Sequence, residues 1–172
     1  GIEVVTEPSE LTMAFTSFDV SCFGECDGQA LVLGNGGTAP LGYDYVWSDP
    51  NIGNTANATG LCAGVYTVTV SDDNGCSVDT TFTITEPTGF TITTSAITSN
   101  CNQPDGVASV DLVTGGTPGY TYLWDASAGS GTTASAAGLT PGVYTVTIAD
   151  ANLCDTTISI TVPNTPGVIG SL

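Results

Sequence analysis

An all-β chain is what these 172 residues predict. Thr, Val, Ile, Phe and Tyr alternate with polar residues at 11–20, 29–34, 43–47, 65–71 and 78–85, the period-two pattern of half-buried strands. Gly, Pro, Asn and Asp separate these runs, and Asn74-Gly75 between two of them is a hairpin signal. No stretch shows helical spacing of its apolar residues. The whole pattern then occurs a second time. About six or seven short strands per copy, with a Trp early and a Tyr late, predict tandem immunoglobulin-like β-sandwiches.

The elements of the two copies correspond in order. Cys22 matches Cys101, and Asp27-Gly28 matches Asp105-Gly106. Gly36-Gly37-Thr38 matches Gly115-Gly116-Thr117. Tyr43-Asp44-Tyr45-Val46-Trp47 matches Tyr120-Thr121-Tyr122-Leu123-Trp124. Gly64-Val65-Tyr66-Thr67-Val68-Thr69 matches Gly142-Val143-Tyr144-Thr145-Val146-Thr147. Cys76 matches Cys154, and each copy closes on a strand ending in proline, Pro87 and Pro163. The expected division is therefore repeat 1 at 9–87 and repeat 2 at 88–163. Residues 1–8, which include Val5-Thr6-Glu7-Pro8, read as the last strand of a preceding copy. Residues 164–172 read as a linker or the start of a following copy. In a sandwich, Trp47 and Trp124 on the third strand fill the core. Tyr66 and Tyr144 suit a tyrosine corner, whose hydroxyl ties a turn to backbone. A sugar-stacking face is the competing use of these aromatics.

Composition excludes more than any motif establishes. The chain has no Lys, Arg or His and 17 acidic residues, for a net charge of -17. With no His there is no Ser-His-Asp or Cys-His nucleophile and no histidine-ligated zinc. With no Lys there is no Schiff base and no phosphate-loop lysine. Nucleic acid and anionic membrane would meet only repulsion. Nothing sets two of the 17 carboxylates apart as a glycosidase pair, so the chain reads as non-enzymatic. Six cysteines with no metal-ligating partners read as disulfide-forming and place the protein outside the cell.

These elements together resemble the SprB-type repeat of Bacteroidota gliding-motility and cell-surface adhesins. They run Cys-(3–4 residues)-Asp-Gly, Gly-Gly-Thr, Tyr-x-Tyr-x-Trp, Gly-Leu-x-x-Gly-Val-Tyr-Thr-Val-Thr and Asp-x-Asn-x-Cys. The resemblance covers both copies and the flanking stubs. It implies a large extracellular tandem-repeat protein exported by the type IX secretion system, working in cell adhesion or gliding. Its departures are Cys26, Cys62 and the lack of basic residues. A carbohydrate-binding module array and a passive stalk are the alternatives. The partners expected are neighbouring repeats of the same chain, a homo-oligomer or filament, and surface glycans or other cells.

Candidate sites follow. Cys26 and Cys62 occur together in repeat 1 and are replaced together, by Pro104 and Thr140, in repeat 2. They fall in loops at the same end of a sandwich, so they are expected to bond. The other four cysteines leave two pairings open. One lies within each repeat, Cys22 with Cys76 and Cys101 with Cys154. The other joins the repeats, Cys22 to Cys154. Asp72, Asp73 and Asp150 lie in equivalent turns and offer oxygen ligands to Ca²⁺, the one cofactor considered. Thr80 and Thr156, each after an Asp, look like Bacteroidota O-glycosylation acceptors. The Thr-rich late strands, 78–85 and 156–162, lack the lysines that usually guard a sheet edge.

Overall fold

The computed structural model describes residues 6–166. Val5 of the opening stub and residues 167–172 of the closing segment lie outside the described residues. The chain forms two compact units, Gly1–Glu86 and Pro87–Leu172.

In the first unit the strands are β1 (Ser9–Phe18), β2 (Gly28–Gly37), β3 (Asp44–Trp47), β4 (Asn57–Leu61), β5 (Gly64–Ser71) and β6 (Ser77–Ile84). They form two antiparallel three-stranded sheets, β1-β2-β4 and β3-β5-β6. This is the order of an immunoglobulin-like sandwich without its fourth strand. Alternation decides which residues go inside. Val68 and Val70 of β5, Phe82 and Ile84 of β6, and Ala30 and Val32 of β2 turn inward with Trp47 and Leu61. The intervening threonines face outward, where Thr67 and Thr81 share a hydroxyl hydrogen bond of 3.0 Å across the β5–β6 pair.

The second unit repeats this plan. Its strands are β7 (Thr91–Ile97), β8 (Ser99–Asn100), β9 (Gly106–Thr114), β10 (Thr121–Trp124), β11 (Ser135–Leu139), β12 (Gly142–Ala149), β13 (Asp155–Val162) and β14 (Asn164–Thr165). Sheet β11-β9-β7 packs on sheet β10-β12-β13 around Trp124, Val146, Ile148, Ile160 and Val162. A short parallel pair, β8 with β14, ties the chain after Pro163 back beside the start of β9. Two strands escape the alternation rule. β4 (NATGL) and β11 (SAAGL) are short, and each bends at a register shift against its partner.

The β5–β6 and β12–β13 turns differ at two positions, Asp73 against Ala151 and Gly75 against Leu153. Gly75 takes a left-handed φ of 80°, and the corresponding Leu153 is held at φ 67° with its side chain 81 % exposed. A left-handed conformation costs a non-glycine residue roughly 1–2 kcal/mol. Leu153→Gly should therefore raise the melting temperature of the second unit by several degrees, read by calorimetry. An unchanged or lower temperature would show that this turn carries no such strain.

Candidate functional site

Among the described residues, the matched motifs converge on two places in each unit. The first joins Gly-Gly-Thr to Asp-x-Asn-x-Cys. Asp72, at the end of β5, is buried, and its carboxylate accepts backbone N–H groups from Thr38 (2.9 Å), Asn74 (3.0 Å) and Cys76 (2.8 Å). Asp150 does the same for Thr117 (2.8 Å), Asn152 (2.9 Å) and Cys154 (2.9 Å). The glycines are required here. Gly37 and Gly116 have φ of 63° and 62°, and a Cβ on either would sit 2.6 Å from the aspartate Oδ2. The first tyrosine of Tyr-x-Tyr-x-Trp closes the loop: Tyr43 Oη donates to Gly36 O (2.8 Å) and Tyr120 Oη to Gly115 O (2.6 Å).

The second place joins Asp-Gly to Gly-Leu. The Asp27 carboxylate accepts from the Ser21 backbone N–H (2.9 Å) and its hydroxyl, and Asp105 from the Asn100 backbone N–H and Nδ2 (both 2.8 Å). Asp27-Gly28 and Asp105-Gly106 therefore close the preceding loop and open a strand. At Gly106 a Cβ would meet Leu139 O at 2.9 Å and Val162 Cγ1 at 2.5 Å, so only glycine lets β9 approach the bend in β11.

The aromatics stand in the core. Trp124 is 1 % and Trp47 6 % exposed, and their indole N–H groups donate to Thr133 O and Thr55 O (both 2.8 Å). Tyr66 Oη donates to Cys62 O (3.0 Å) and Tyr144 Oη to Thr140 O (2.8 Å), the bond back to nearby upstream backbone that defines a tyrosine corner. Tyr144 is buried as well, and Tyr66 is half-buried against the core of the first unit.

Cys26 and Cys62 are bonded, linking the β1–β2 loop to the β4–β5 loop across a sequence separation of 36. Pairing inside each repeat is corrected by the structure: Cys76 and Cys101 are free, exposed thiols, whereas Cys22 and Cys154 are disulfide-bonded. The reason is strand length. Cys101 N–H donates to Thr165 O, past the end of β13, while Cys154 precedes the start of β13. Eight residues of strand at ~3.3 Å each separate them by about 26 Å, against the ~7 Å limit for bonded Cα atoms. In the first unit the Gly24 N–H reaches Glu86 beyond β6, and Cys76 precedes β6.

The carboxylates of Asp72 and Asp150, two of the three expected cation ligands, are engaged by backbone N–H groups. Asp73 Oδ2 accepts the Leu41 N–H (3.1 Å), and among the described residues no group of three acidic or cysteine side chains is placed to hold a metal. Thr80 and Thr156, the expected glycan acceptors, lie on the edge strands β6 and β13. Both are half-buried, on the same strand face as the core residues Phe82 and Ile160.

Sequence reading missed Asp125. Its carboxylate accepts the Ser127 hydroxyl, the Ala128 N–H and both the N–H and hydroxyl of Thr145, capping a single 3-10 turn, Ala126–Ala128. An Asp three residues before an N–H that it caps is a local signal, masked here because repeat 1 has Ser48 at that position.

These hydrogen bonds set acid stability. Backbone donation, from Thr38 first, holds the Asp72 carboxyl below its ordinary value. At Asp150, burial pushes upward but the N–H groups of Thr117, Cys154 and Asn152 outweigh it. Asp27 is held down by Ser21, Asp105 by Asn100 and Asp125 by Ser127. A carboxyl whose folded pKa is depressed contributes stability that is present above its unfolded pKa, about 3.9, and lost as pH falls through the folded value. The melting temperature should therefore hold between about pH 7 and 5, where these groups stay ionised in both states, and fall steeply below roughly pH 4. Thermal melts across this range check it; no fall between pH 4 and 2 would contradict it.

The SprB repeat family model matches residues 14–51 and 94–129, the same stretch of each copy, from the first strand past the Trp. The chain carries two SprB repeats. The internal match extends each SprB repeat through its tyrosine corner to the closing proline. No curated protein matches the chain. Among solved structures, the C-terminal 282-residue fragment of intimin, in complex with the translocated intimin receptor's intimin-binding domain, is 14% identical with a TM-score of 0.46. That alignment covers 94% of this chain and 66% of the intimin fragment. An amphioxus IgVJ-C2 molecule is 14% identical with a TM-score of 0.34, covering 93% of this chain and 99% of that one. The S-layer protein rSbsC(31-844) is 12% identical with a TM-score of 0.34, covering 96% and 29%. These SprB repeats are immunoglobulin-like sandwiches of an extracellular structural repeat region, and no helix among the described residues is long and apolar enough to cross a membrane.

Proposed function

We propose that this segment is a non-catalytic part of a cell-surface filament that works in adhesion or gliding, exported by the type IX system. One observation carries the reading: the residues that define the repeat are used in turns and core, leaving the sheet faces and edges for contact. Those faces carry threonines with scattered exposed apolar residues, Val46, Val65, Leu123 and Val143. Many such faces in series give weak contacts the chance to act together. Side-by-side association of chains at -17 needs salt or divalent cations as a screen.

Antibody raised against this chain tests the proposal. It should label intact cells of the producing bacterium and reduce their attachment to glass or their gliding. Labelling with no effect on either behaviour would establish the passive stalk instead. Absence of surface labelling would overturn the reading.

A further inference from the structure

Cys76 and Cys101 stand out once the other cysteines are placed. Both are exposed and unpaired. Each occupies the position at which the companion repeat has a disulfide-bonded cysteine: Cys76 corresponds to Cys154, and Cys101 to Cys22. Each position is thus bonded in one of the two repeats and free in the other. A partner from the same repeat is barred by strand length, because the early and late positions lie at opposite ends of a sandwich.

Their placement is complementary. Cys76 lies in the β5–β6 turn, at the end of its unit where Asp72 holds the Gly-Gly-Thr loop. Cys101 lies at the other kind of end, in the loop before β9, where its N–H donates to Thr165 O. A late-turn cysteine of one copy and an early-loop cysteine of another are the two halves of an end-to-end joint. Two identical halves, Cys76 with Cys76 or Cys101 with Cys101, would bring like ends together and reverse the direction of the array.

We propose that Cys101 of one copy of this repeat pair and Cys76 of a second copy form a head-to-tail disulfide, making the array a covalent, directional polymer. The joint stands whether or not the array is adhesive. Oxidised glutathione, a small disulfide, serves as oxidant. The Cys101 thiolate attacks one glutathione sulfur, forming a mixed disulfide and releasing one glutathione thiolate. The Cys76 thiolate of the second copy then attacks the Cys101 sulfur, forming the protein disulfide and releasing the second glutathione. Two protein thiols thus lose two protons and two electrons, and one glutathione disulfide becomes two glutathiones. The exchange is run at mildly alkaline pH, because the thiolate is the attacking species, with salt to screen the charge of -17.

The test uses the 172-residue chain, its C76S and C101S variants and an equal mixture of the two variants, with oxidised glutathione at pH 8 in 0.5 M NaCl. Products are read on non-reducing gels and by mapping with a protease that cuts after acidic residues. Wild type should give a ladder of dimers, trimers and higher species. Each variant alone should stay monomeric, and the mixture should give dimer and nothing larger, with a Cys76–Cys101 linked peptide. Dimers from either variant alone would reveal unselective thiol chemistry and overturn the joint. A Cys76–Cys101 link confined to wild-type monomer, or no ladder at all, would overturn it equally.

Discussion

Trp124→Ala should remove most of the stability of the second unit. Trp124 is the largest of the fully buried side chains, and its indole N–H holds Thr133 O at 2.8 Å. Truncating a buried Trp or Phe typically costs about 3–5 kcal/mol through lost transfer energy and the cavity left behind. Whole domains are stable by only about 5–15 kcal/mol, and a unit of this size loses roughly 4–8 °C of melting temperature per kcal/mol. Hydrogen exchange followed by mass spectrometry should show β12 and β13 exchanging far faster than in wild type. Wild-type protection in β12 of the variant would mean that Trp124 is not the centre of this core.

Replacing both Cys26 and Cys62 by alanine should destabilise the first unit and leave the second as it was. Closing a loop of about 36 residues stabilises by about 3–4 kcal/mol if the bond acts through the entropy of the unfolded chain. The change is clean because Cys62 keeps its carbonyl, so the Tyr66 corner retains its acceptor. Repeat 2 is a natural control, with Pro104 and Thr140 at the two positions and the same tyrosine corner made by Tyr144. Denaturant titration with exchange read separately on Gly1–Glu86 and Pro87–Leu172 measures it. Equal loss in both units, or none in the first, would contradict the assignment.

The fold was largely legible in the sequence because its signals are local. Alternation in GVYTVTVS and SVDTTFTI places Val68, Val70, Phe82 and Ile84 on one face, and a two-copy sequence shows which residues recur together. The β4 and β11 strands were not legible, since NATGL and SAAGL have neither β-branched density nor regular alternation and are strands only because β2 and β9 pair with them. The Asp72 and Asp150 carboxylates could be read in sequence as cation ligands or as turn residues. Their long-range donors were not legible, because Thr38 and Thr117 N–H come from a loop more than thirty residues upstream. Cysteine connectivity was half legible. The paired appearance of Cys26 and Cys62 identified one bond, whereas excluding bonds within a repeat required knowing which loops share an end.

The central claim is that the residues shared by the two repeats build the fold. Thermal melting of Asp150→Asn beside Asp155→Asn tests it most directly. Asp150 is buried with three backbone donors, and an amide puts an NH₂ where one oxygen had accepted. Asp155 is exposed at the start of β13. Asp150→Asn should lower the melting temperature of the second unit by roughly 5–10 °C, and Asp155→Asn should move it by no more than about 2 °C. Equal, small shifts from both substitutions would contradict the claim and leave Asp150 in search of another role.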